Sequence, residues 1–188
     1  MSRTVEPPAD DPVADDWLTA VHEAAHAVER LVRGLPVGLI AICAPADAAA
    51  ARGFCSSSAN YVDTVAYLTG RGLEPPVAPP SALIEHLLVL LAGAIAESSA
   101  RGVPYSPAST GGFEDRYQAE WLVGDVLRRA PYSAGVRGFL RAIEVVAAAD
   151  VRTHWLWIEV VARELVTARR LTGDQIVALR RGPGASEA

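Results

Sequence analysis

The chain has 188 residues, 51% of them hydrophobic, and a formal charge of −5 at pH 7. That length is enough for one domain with a real core, and the acidic balance speaks against a nucleic-acid surface, which a basic patch or stripe would announce. All 17 basic residues are arginine, so there is no lysine for a Walker A loop or a Schiff base, and a self-contained P-loop hydrolase or pyridoxal enzyme is excluded.

Met1 to Asp16 is acidic and proline-rich with no apolar run. It reads as neither a secretory signal nor a transit peptide, which makes a cytoplasmic location the expectation. Residues 1–14 are expected to be a flexible tail, 15–181 a single domain and 182–188 a second tail. Asp15 or Asp16 is an N-cap candidate for a helix running to about Arg33, stopped by Gly34 and Pro36. Trp17, Val21, Ala24, Ala25, Val28, Leu31 and Val32 recur on it at helical spacing, and His22 and His26 lie beside that apolar stripe.

Val37 to Cys43 and Gly53 to Ser58 have the composition of two short strands, a hairpin or small sheet beside the first helix. Cys43 and Cys55 show no C-x-x-C spacing and are expected to be buried, reduced thiols. A short helix is expected over Asn60 to Thr69, then a proline-rich connector through Pro80. Ser81 opens a strongly apolar helix through Ala100, ended by Gly102 and Pro104. Its most apolar run, Leu87 to Ile95, is short of a bilayer span, so a buried core helix is expected. Phe113 starts another helix that Pro131 interrupts. Ala134 to Ala168 reads as one long helix or two with a bend near Asp150, and Thr172-Gly173-Asp174 opens a last helix to Arg180. The fold class is therefore mainly α with a small β-hairpin or short sheet.

Chemistry concentrates in His22-Glu23-Ala24-Ala25-His26. Residues four apart on a helix lie about 40° apart around the axis and one turn along it, so both imidazoles can reach one point. This is the H-E-x-x-H arrangement of metallohydrolases, in which the histidines bind Zn²⁺ and the glutamate is the base toward water. Catalytic zinc takes three protein ligands as a rule. By chemistry the third could be His86, Glu97, Glu114, Asp115, Glu120 or His154.

Four segments in order resemble the peptidase domain of the FtsH ATP-dependent metalloproteases. His22 to Ala27 is similar to that family's H-E-A-G-H-A, and Leu91 to Glu97 to its G-G-R-A-A-E helix. Gly111 to Asp115, with Gln118-Ala119, resembles the segment that supplies the third ligand, and Leu165 to Ile176 its closing stretch. The resemblance implies a helical metallopeptidase domain with His22, His26 and Asp115 as zinc ligands, Glu23 as catalytic base and Glu97 as a carboxylate orienting a ligand ring. An aspartate in a helix's first turn is also favoured electrostatically. Ala25 and Ala94 depart from the family's glycine and arginine. Neither that family's ATPase nor its membrane segments are found in these residues, so the expected partner is a peptide or unfolded protein segment, with no nucleic acid, no membrane and a homo-oligomer as one possible assembly. The alternative function is a catalytically weak or inactive peptidase-fold protein serving as a zinc-binding interaction or regulatory module.

Overall fold

The first helix, α1 (Pro12–Val32), is the axis around which the rest is built. A computed structural model describes residues 12–43, 53–56, 80–106, 113–126 and 133–180. Of the expected first tail, 1–14, residues 12–14 are helical instead, while 1–11, the second tail at 182–188, the helix over 60–69 and the connector over 70–79 lie outside these residues. α1 begins about one turn before the caps expected at Asp15 or Asp16. Proline is well suited to a first helical position, where its missing N–H costs nothing. Asp15 then falls in the first turn, and Asp16 is drawn into an ion pair with Arg169.

The amphipathic stripe expected of α1 widens to its whole circumference in the middle. Every residue from Ala20 to Arg30 except His22 is buried. Its alanines 20, 24, 25 and 27 are fully buried and let neighbouring backbones approach closely. The helix stops where the sequence says it should. Gly34 adopts φ +70°, its N–H donates to Leu31 O at 3.1 Å and Leu35 N–H donates to Arg30 O at 2.9 Å, the paired bonds of a Schellman ending.

α2 (Pro80–Ala100) packs along α1 and is buried continuously from Leu87 to Ser98, as befits a helix that is apolar all round. Counted as an 18-residue window, Leu83–Ala100 is apolar and long enough to cross a membrane by length and composition, and 72% of that window is buried inside the fold. It ends like α1, with Gly102 at φ +68° and Val103 N–H donating to Ser98 O at 3.1 Å.

α3 (Phe113–Val126) and α4 (Ala134–Thr153) form a pair beside α2, joined by Arg116, which donates to Glu144 and, through Nε, to Glu120 Oε1 at 2.9 Å. The bend expected near Asp150 lies one turn on, at His154, between α4 and α5 (Trp155–Ala168). Asp150 accepts from Arg33, which also bridges to Glu29.

The sheet has the order β2-β1-β3, with β1 (Leu39–Ile42) between β2 (Gly53–Ser56) and β3 (Arg170–Thr172), antiparallel to both. The first two strands match expectation. The third was not foreseen, because three residues between helices carry no periodic signal and pair only once the chain has returned to β1. Arg169 makes that return, taking φ 65° after α5 while its guanidinium holds Cys43 O at 2.8 Å. α6 (Gly173–Arg180) starts as expected. Thr172 N–H donates to Gln175 Oε1 at 2.8 Å and Gln175 N–H to Thr172 Oγ1 at 3.4 Å, a reciprocal capping box.

Candidate metal centre

Three helices meet over the central turns of α1. His22 and His26 project from it one turn apart with rings 4.7 Å between centroids and 80° between planes. α3 brings Asp115 onto the same point. His22 Nε2 lies 3.0 Å from His26 Nε2 and 3.0 Å from Asp115 Oδ2, and His26 Nε2 lies 3.3 Å from that oxygen. Ligands about 2.0–2.1 Å from a tetrahedral zinc stand about 3.3 Å from one another, so the triangle is close to the right size for one ion.

α2 makes the triangle possible. A Cβ on Gly93 would lie 2.6 Å from His26 Nε2 and 2.7 Å from His22 Nε2, so only a glycine there lets both imidazoles turn toward Asp115. One turn earlier, Val89 O accepts the His26 Nδ1–H at 2.8 Å. That bond selects the tautomer whose Nε2 lone pair is free for a metal. His22 has a longer counterpart, with Nδ1 3.5 Å from Glu97 Oε2, and Arg101 anchors Glu97 through Nη2 at 2.8 Å and Nε at 3.2 Å.

The electrostatics ask for positive charge. Burial disfavours a charged His22, but Asp115, Glu97 and Glu23 outweigh it and push its pKa up to about 10. Burial likewise opposes ionisation of Asp115, yet the two histidines hold its carboxyl well below the usual range. Two imidazole nitrogens facing one carboxylate at these distances must share a proton or a cation. Two imidazole nitrogens and one carboxylate oxygen are donors that could hold a metal ion here.

Glu23 is buried, 7% exposed, beneath strand β2. A Cβ on Gly53 would come within 2.8 Å of Glu23 Cγ and of Glu23 Oε1, so the strand crosses the carboxylate with no side chain between them. Burial raises the Glu23 pKa and Asp115 raises it further, against the opposing pull of His26 and His22. On the same strand Cys55 is half-buried rather than buried, and free, as is Cys43. Burial, Glu23 and Asp115, against Arg30, push its pKa up to about 12, which leaves it a poor nucleophile.

The site residues expected from sequence, His22, Glu23, His26, Glu97 and Asp115, are thus gathered in one place. The other third-ligand candidates are not. Among the described residues the single converging group of three or more metal-capable side chains is His22, His26 and Asp115. Glu120 pairs with Arg116, Glu114 is exposed and His154 sits at the α4–α5 junction. Sequence reasoning missed Gly93, Gly53, Arg101 and the Val89 carbonyl. Gly93 had left a signal, since a glycine inside a helix costs about 1 kcal/mol relative to alanine and needs a packing reason. The chain matches no protein-family model and no curated protein.

Proposed function

We propose that the chain is a zinc-dependent metallopeptidase, resembling the FtsH peptidase domain, that hydrolyses peptide bonds in peptides or unfolded protein segments. The observation that carries the reading is the convergence of His22 Nε2, His26 Nε2 and Asp115 Oδ2 at 3.0–3.3 Å with Glu23 adjoining on the same helix. His22, His26 and Asp115 would hold the ion. Bound zinc supplies Lewis-acid polarisation of the scissile carbonyl and lowers the pKa of water toward about 7. Glu23 takes the proton of the attacking water on its carboxylate and returns it to the leaving amine. Its burial suits that work, because raising the pKa of a carboxyl makes its carboxylate a stronger base toward the water proton.

β2 supplies a place for substrate. Among the described residues it is an outer strand of the sheet, and an extended segment adding to its outer edge would run past Glu23 with main-chain hydrogen bonds that ignore side-chain identity. Such binding demands an unfolded substrate.

Glu23→Gln tests the mechanism: the variant is expected to keep one zinc per chain and lose cleavage of an unfolded, casein-like substrate. Retained cleavage overturns Glu23 as base. Wild-type cleavage abolished by a chelator and restored by zinc supports the enzyme, while zinc binding with no cleavage favours an inactive metal-binding module. Two histidines and one carboxylate also describe the facial triad of iron(II) oxygenases, and metal analysis of protein purified without added metal separates iron from zinc.

A further inference from the structure

α3 has two faces, and the metal centre uses one. Asp115 and the buried Arg116 turn inward, while Phe113, Tyr117 and Trp121 form a line on the opposite side at 70%, 38% and 51% exposure. Their rings are in mutual contact, 6.3 Å between the centroids of Phe113 and Tyr117 and 6.1 Å between Tyr117 and Trp121. Single exposed aromatics are ordinary, but a contiguous run of three marks an interaction surface. Two exposed acids stand beside it, Glu114 next to the first ring and Asp125 one turn beyond the last.

The neighbouring helix carries the complement. Three exposed arginines stand on the outer face of α4, Arg137, Arg141 and Arg152, and between the last two lie Ala142, Val145 and Ala149, with Val145 67% exposed. The two charge pairs match in register as well as sign. Glu114 and Asp125 are eleven positions apart, and so are Arg141 and Arg152, which on a helix is three turns along one face, about 16 Å. The rings of Tyr117 and Trp121, between two acids on one helix, thus answer small side chains between two bases on the other. Within one chain these faces cannot meet, because Arg116 and Glu144 join α3 and α4 along a different edge and leave both faces turned outward.

We propose that the chain forms a two-fold homodimer in which the acid-flanked aromatic face of α3 seats on the arginine-flanked face of α4 of a second copy. Two-fold symmetry makes each contact twice, α3 on α4 and α4 on α3, from a single self-complementary patch. Aromatic anchors ringed by charges that fix register are the composition such patches use. Because α3 carries Asp115 on its inner face, the dimer braces the helix that completes the metal centre.

Analytical ultracentrifugation of the full chain, up to about 100 µM so that a micromolar dimer is saturated, should give twice the monomer mass. Trp121→Glu, at an exposed position, should weaken association by about 30-fold or more with unchanged circular dichroism and metal content. Two charge-reversed variants make the test sharper. Glu114→Arg with Asp125→Arg, and Arg141→Glu with Arg152→Glu, should each be monomeric alone, since like charges then face each other. Mixed one to one they should recover the dimer, because basic α3 then faces acidic α4 at one contact and basic α4 faces acidic α3 at the other. A wild type that stays monomeric, a Trp121→Glu dimer of undiminished strength, or variants that fail to recombine would each overturn the proposal, the first assigning the face to a different partner.

Discussion

His22 Nε2 and Asp115 Oδ2 stand 3.0 Å apart although 93 positions separate them in the chain. The contact joins the middle of α1 to the first turn of α3 across the glycine of α2. It turns a two-histidine helix motif into a three-donor site. Asp115→Asn keeps the shape of the side chain and removes its charge, so zinc affinity should fall by more than the roughly 10- to 100-fold typical of losing a group behind a ligand. Competition with a chromophoric chelator measures it, and an unchanged affinity would reassign the third ligand.

Gly93→Ala separates site geometry from helix stability. Alanine favours a helix interior over glycine by about 1 kcal/mol, so a purely structural Gly93 would yield a neutral or more stable protein. Here the added methyl lies 2.6–2.8 Å from the two imidazoles and must push them off their common point. The expected variant is folded by circular dichroism, with zinc stoichiometry well below one.

Glu97→Gln probes how His22 is held. Its carboxylate is kept ionised against the cost of burial by His22 and Arg101, but Oε2 is 3.5 Å from His22 Nδ1, longer than a good N–H···O bond. The loss of zinc affinity should therefore lie at the low end of the outer-group range, about 10-fold, and isothermal titration resolves it.

Gly53→Ala should act on catalysis and spare the metal. Its Cβ would meet Glu23 Cγ at 2.8 Å and Thr19 Cγ2 at 2.9 Å, displacing the base or lifting β2. Cleavage should drop by about 100-fold, the scale of a positioned proton-transfer group, at full zinc occupancy. Parallel loss of zinc would show that Gly53 supports the whole site.

Glu144→Ala removes one partner of the buried Arg116, whose side chain is 10% exposed. Glu120 still holds the other face of the guanidinium, so the cost should be near the lower end for a broken buried pair, about 3 kcal/mol. Urea unfolding of the variant and wild type gives the difference directly, and a change under about 1 kcal/mol would mark the pair as surface-like.

What the chain determined by itself is what lies within a turn or two of helix. His22, Glu23 and His26 are legible because i and i+4 share a helix edge wherever that helix goes. Gly34 and Gly102 are legible as stops because a left-handed residue is needed there whatever packs nearby, and Thr172 with Gln175 caps α6 from four consecutive residues. The choice of Asp115 among His86, Glu97, Glu114, Glu120 and His154 was open to residue chemistry, and the family resemblance pointed to it. Packing of α3 on α2 is what brings its carboxylate to the two histidines. The same holds for β3, which is a strand only because β1 is there to pair with. Gly93 and Gly53 belong with these. Their meaning is the space they leave for side chains from another helix, and clearance between distant segments is a property of the assembled core, with no periodic trace in the residues on either side.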